Sequence, residues 1–72
     1  MLDKYLYIRS HALQRSIERE IGLDNLKSLL ESKESRATFQ RNGRIRIEND
    51  EIVAIIQIEG DDLVLITAFK NS

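Results

Sequence analysis

Apolar residues follow two different spacings along the chain. In the first half they recur every three or four positions, as Leu13, Ile17 and Ile21 and then Leu26, Leu29 and Leu30. That is the period of helices with one buried face. In the second half they alternate with polar residues or run together, in Arg44–Glu48, Glu51–Glu59 and Leu63–Lys70. That is the pattern of strands. The expected class is α+β in one domain over residues 1–72. Two N-terminal helices pack on one face of a three- to four-stranded antiparallel meander sheet.

The punctuation agrees with this division. Ser10 is a helix N-cap, and Gly22 suits the end of a helix running from about His11 to Ile21. A second helix is expected from about Leu23 or Asp24 to Ser32, with Asp24 as a cap. Residues 33–35 read as a connection. Residues 4–8 are aromatic and β-branched and predict a short strand, and residues 37–40 predict another. Asn42-Gly43, Asn49-Asp50 and Gly60-Asp61 mark turns.

Two-residue turns would pair Glu48 with Glu51 and Glu59 with Asp62. One face then holds Ile45, Ile47, Ile52, Ala54, Ile56, Ile58, Leu63, Leu65, Thr67 and Phe69, and is expected beneath the helices. The other holds Arg44, Arg46, Val53, Ile55, Gln57, Val64, Ile66 and Ala68. It is too apolar for a freely solvated face. Val53, Ile55, Val64 and Ile66 are therefore candidates for a partner interface, covered by the N-terminal segment, a second subunit or a ligand.

At 72 residues the core is small. There is no cysteine, so neither a disulfide nor a thiolate metal site is expected. A single histidine, His11, does not make the usual zinc ligand set. No cofactor motif is present, and dimerisation is the remaining common source of stability. No apolar run approaches the roughly 20 residues of a membrane span. With no export signal either, the expected location is the cytoplasm. A net charge of −1 hides an asymmetry. Ten basic and six acidic residues precede Glu48, while six acidic residues and only Lys70 follow from Glu48 onward. Seven of the eleven cations are arginine, which suits bidentate phosphate contacts.

Three groups of side chains bear on chemistry. His11, Arg15 and Arg19 are spaced four apart, which puts them in one stripe on the first helix. An imidazole between guanidinium groups can move a proton while the arginines hold a phosphate. That is the chemistry of metal-free RNA cleavage, in which the 2′-hydroxyl attacks the adjacent phosphate. The plainer alternative is a solvated helix face. Arg41, Arg44 and Arg46 surround the Asn42-Gly43 turn and could follow a nucleic-acid backbone. Their alternative is an edge strand guarded by charge. Tyr5 and Tyr7 could stack on bases, with core packing as the plainer reading.

The run His11-Ala12-Leu13-Gln14-Arg15-Ser16-Ile17-Glu18-Arg19-Glu20-Ile21 resembles the signature of a small bacterial and phage family of unknown function. Its members open with a His-Ala-x-x-Arg-x-x-x-Arg helix and end with a strand resembling Leu65-Ile66-Thr67-Ala68-Phe69. The resemblance implies a RelE-like fold, related to barnase and the RelE, colicin and EndoU ribonucleases. It implies an RNA-directed toxin or its descendant, with His11, Arg15 and Thr67 at the catalytic positions and Arg19 on phosphate. Ser16 stands where a large apolar residue is common, and Glu20 where glycine is common.

Two functions follow as expectations. One is a toxin-type, metal-independent endoribonuclease acting on RNA and neutralised by an antitoxin, with Arg19, Arg41, Arg44 and Arg46 on phosphate. The other is a non-catalytic phage or regulatory module that engages a host protein through the exposed sheet face. A homodimer sharing that face is a third arrangement.

Overall fold

Ser10 begins the first helix as its side chain predicts, with its Oγ accepting a hydrogen bond from the Leu13 N–H at 3.2 Å. The computed structural model describes Leu6–Asn71. Its elements are β1 (Leu6–Tyr7), α1 (His11–Glu20), α2 (Leu23–Glu31), β2 (Arg36–Phe39), β3 (Arg44–Glu48), β4 (Ile52–Glu59) and β5 (Asp62–Lys70). A 3-10 turn at Arg41–Gly43 joins β2 to β3. Lys4 and Tyr5, expected in the first strand, lie outside the described residues.

Gly22 separates the helices at φ +90, a backbone angle that side-chain-bearing residues rarely adopt. Its N–H donates to the Ile17 carbonyl at 2.7 Å, and Asn25 Nδ2 donates to the Ile21 carbonyl at 2.7 Å. Carbonyls that α1 would leave unpaired are thereby satisfied. The helices then turn their apolar stripes to the same side. Ile17 and Ile21 of α1 join Leu26 and Leu29 of α2 in one cluster with Ile45, Ile47, Ile52, Ala54, Ile56, Leu63 and Leu65 of the sheet.

Among the described residues the fold is α+β with two helices, as expected, but the sheet has five strands rather than three or four. Their order is β1-β5-β4-β3-β2. β2 through β5 form the antiparallel meander. The additional strand, β1, pairs parallel to β5 at the far edge, matching Leu6 to Leu63 and Tyr7 to Val64. The sheet is therefore mixed.

Two departures from the expected register have clear physical causes. The β3–β4 hairpin turns one residue later than expected, at Asp50-Glu51. Asn49 N–H donates to the Ile52 carbonyl at 3.0 Å, while Asn49 Oδ1 accepts from the N–H groups of Glu51 and Ile52 at 2.7 Å each. Asn71 Nδ2 occupies the Asn49 carbonyl at 2.9 Å. Glu48 thus pairs with Val53 rather than Glu51. Moving the tip by one residue moves the pairing by two, so every β3 and β4 side chain keeps its expected face.

The second departure does exchange faces. Ile55 pairs with Thr67 but Ile56 pairs with Leu65, which leaves Ile66 as an extra residue in β5. Beyond this bulge the alternation is reversed. Ala68 pairs with Ala54 and packs on the core beneath the helices. Thr67 and Phe69, expected on the helix side, pair with Ile55 and Val53 and lie on the opposite face.

Leu29 is fully buried where α2 meets the sheet. Leu29→Ala is expected to cost about 2–5 kcal/mol. Urea unfolding should show a lower midpoint at an unchanged slope.

Candidate functional site

The face opposite the helices is organised in rows across the strands. Pairing aligns Thr38, Arg46, Ile55 and Thr67 in one row. The next row toward the β4–β5 turn is Arg44, Gln57, Val64 and Tyr7. The row on the other side is Arg36, Glu48, Val53 and Phe69. Among the described residues, both helices lie on the other side of the sheet, and this face carries no further layer.

Arg44 is held at the rim of this face by its neighbours. Its Nε donates to Gln57 Oε1 at 3.2 Å, while Gln57 Nε2 donates to the Asn42 carbonyl at 2.8 Å. Gln57 thereby ties Arg44 to the turn that also carries Arg41. Asn42 at φ 67 and Gly43 at φ +75 make that turn possible, and a Cβ on Gly43 would stand 3.1 Å from Gln57 Nε2. Arg44 and Arg41 have no acidic partner among the described residues. Arg46 does, since its Nε meets Glu48 Oε1 at 3.2 Å. Arg36 approaches the exposed Asp50 at 3.7 Å. The cationic end of the face is thus the β2–β3 turn. At the same end, two residues beyond Gln57 on β4, Glu59 accepts from Arg9 at 2.7 Å.

The structure brings some expected site residues together and separates others. Arg44, Arg46 and Thr67 share the open face, and Tyr7 joins them at its edge, half exposed. Thr67 reaches it only because of the Ile66 bulge. Arg44 and Arg46 sit on an interior strand, since β2 rather than β3 is the edge, so guarding an edge is not their role. His11, Arg15 and Arg19 lie elsewhere. All are exposed on the side of α1 away from Ile17, and among the described residues none makes a side-chain hydrogen bond. The helix, about 10–12 Å across, and then the sheet stand between this stripe and the arginines of β3.

The expected partner interface is altered in detail. Val53 and Val64 are 0% and 4% exposed and offer little to a partner. Ile55 is half-buried. Exposed apolar surface comes from Ile66, Tyr7 and Phe69 instead. Phe69 was hidden from the sequence pattern by the bulge, and Gln57 by its ordinary place in an alternating strand.

An open groove of about 270 Å³ lies between α2 and β1, bounded mainly by Leu6, Ile8, Leu23, Leu26 and Leu30. Lys27 and Glu31 of α2 complete the lining beside Leu63, so its polar groups are one cation and one carboxylate four residues apart on the helix. Among the described residues, no His, Cys, Asp and Glu side chains are grouped to hold a metal ion, and no helix is long and apolar enough to cross a membrane. No family model, curated protein or solved structure matches this chain.

The Arg9–Glu59 pair is solvent-facing, with side chains 67% and 41% exposed. Arg9→Ala should therefore change unfolding free energy by less than about 1 kcal/mol, which thermal or urea unfolding will measure.

Proposed function

We propose that this chain is a RelE-like, toxin-type protein that binds RNA on the open face of its sheet. The observation that carries the reading is the sharing of that face by Arg44, Arg46, Thr67 and Tyr7, with Gln57 between the strands. Arg44 makes no ion pair among the described residues that would compete with a phosphate. The rings of Tyr7 and Phe69 offer sequence-tolerant stacking surfaces for unpaired bases. The Thr67 hydroxyl and the Gln57 amide add hydrogen-bonding groups on the same side.

Binding is better supported than cleavage. Attack by a 2′-hydroxyl needs a proton acceptor within hydrogen-bond reach and a cation on the same phosphate. His11 has Arg15 and Arg19 as companions on its stripe, but not Arg44, Arg46 or Thr67. A ribonuclease built on His11 would work with the α1 arginines alone. A second reading has one observation of its own: Tyr7, Ile66 and Phe69 are large, exposed and apolar. They would suit an antitoxin or a host protein docking on the same surface.

Fluorescence anisotropy with a labelled single-stranded RNA over a range of salt concentrations tests the proposal. The parent should bind with a salt-dependent affinity. Replacing Arg44 and Arg46 together by alanine should weaken binding and lower the log–log salt slope by about 1.4, for two lost phosphate contacts. His11→Ala should bind like the parent. RNA left with the parent in EDTA should stay intact. Cutting that disappears in a folded His11→Ala variant would replace this reading with a nuclease centred on α1.

A further inference from the structure

β2 is an edge strand with all four of its residues exposed, and Phe39 is 77% exposed. Its outward backbone groups can be identified from its pairing with β3. Gln40 N–H donates to the carbonyl of Arg44 at 2.8 Å, directly opposite it. Antiparallel alternation then makes Thr38/Arg46 and Arg36/Glu48 hydrogen-bonded pairs as well. The N–H and C=O groups of Ala37 and Phe39 are left pointing away from the sheet. β2 is short and carries Arg36, but it contains no proline and no bulge to break its outward row of backbone groups.

We propose that two copies of this chain pair antiparallel through β2, about a two-fold axis at Thr38. The outward groups belong to Ala37 and Phe39, so only those residues can form the new hydrogen-bonded pairs. An axis at Ala37 would set Phe39 against Ser35, which lies outside the strand and whose N–H already donates to the Ser32 carbonyl at 3.4 Å. An axis at Phe39 would set Ala37 against Arg41, inside the 3-10 turn. An axis at Thr38 sets Ala37 against Phe39 of the second copy, twice, and uses every outward group of both strands.

The side chains fit the same register. Ala37 and Phe39 lie on the helix side of the sheet, and both are exposed there. Each Phe39 ring would lie beside the small Ala37 of the other copy, large against small. On the open face Arg36 would meet Gln40, so no cation is set directly against another. The open faces of the two copies would become one surface, with Arg44 and Arg46 of each copy flanking the axis. The pairing itself does not depend on RNA binding.

Sedimentation of the full chain over a range of concentrations, with two variants, tests the proposal. The parent should dimerise reversibly. Ala37→Pro removes an outward N–H that β3 does not use, which an edge strand tolerates. It should be folded by circular dichroism and monomeric. Thr38→Cys introduces the only cysteine in the chain. The two copies of residue 38 would form a non-hydrogen-bonded pair with Cα atoms about 4.5 Å apart, within reach of a disulfide. Mild oxidation should link this variant faster than Ser28→Cys, exposed on α2. A parent that stays monomeric at every concentration, a folded Ala37→Pro that still dimerises, or linkage of Thr38→Cys no faster than Ser28→Cys would each overturn the proposal.

Discussion

Ile17, Ile21, Leu26 and Leu29 all press on the same side of the sheet, so the burial that holds the described fold together is one-sided. A sheet has two faces, and helices on one of them leave the other to be accommodated differently. Here that face mixes β-branched residues with long polar ones. Val53 is buried in its row between Glu48 and Phe69, and Val64 between Gln57 and Tyr7. The polar residues at the β3 side are arginines tied to neighbouring acceptors. The open face is therefore an ordered surface, which is what recognition of a ligand needs.

The Ile66 bulge decides what that surface carries. Without it, strict alternation would turn Thr67 and Phe69 beneath the helices and set Ala68 on the open side. With it, a small alanine faces Ala54 in the core, while a hydroxyl and an aromatic ring join the arginines. One unpaired residue in one strand thus changes both the packing of the core and the chemistry of the exposed face.

Much of this was legible in the sequence because local signals were strong. Ser10 and Gly22 bracket α1, the leucines of α2 repeat at helical spacing, and Gly60 opens the last turn at φ +61. The β3 and β4 faces also followed from alternation, although the hairpin tip was one residue off. That error came from Asn49, whose side chain captures the N–H groups that would otherwise help close the earlier turn. The bulge left no comparable mark, since Ile66 is an ordinary β-branched residue in a β-branched strand. The parallel pairing of β1 was equally hidden, because it depends on contacts more than fifty residues apart. The candidate site was legible residue by residue, but its division into two sides was not. Spacing puts His11, Arg15 and Arg19 in one stripe, and only the packing of Ile17 shows which way that stripe faces.

The RNA recognition proposed for this chain belongs to the open sheet face and not to the helix stripe. Backbone amide chemical shifts during titration with a short single-stranded RNA test it most directly. Progressive shifts are expected at Arg44, Arg46, Ile55, Gln57 and Thr67, with little change over residues 11–19. Shifts confined to α1, with β3, β4 and β5 undisturbed, would contradict it.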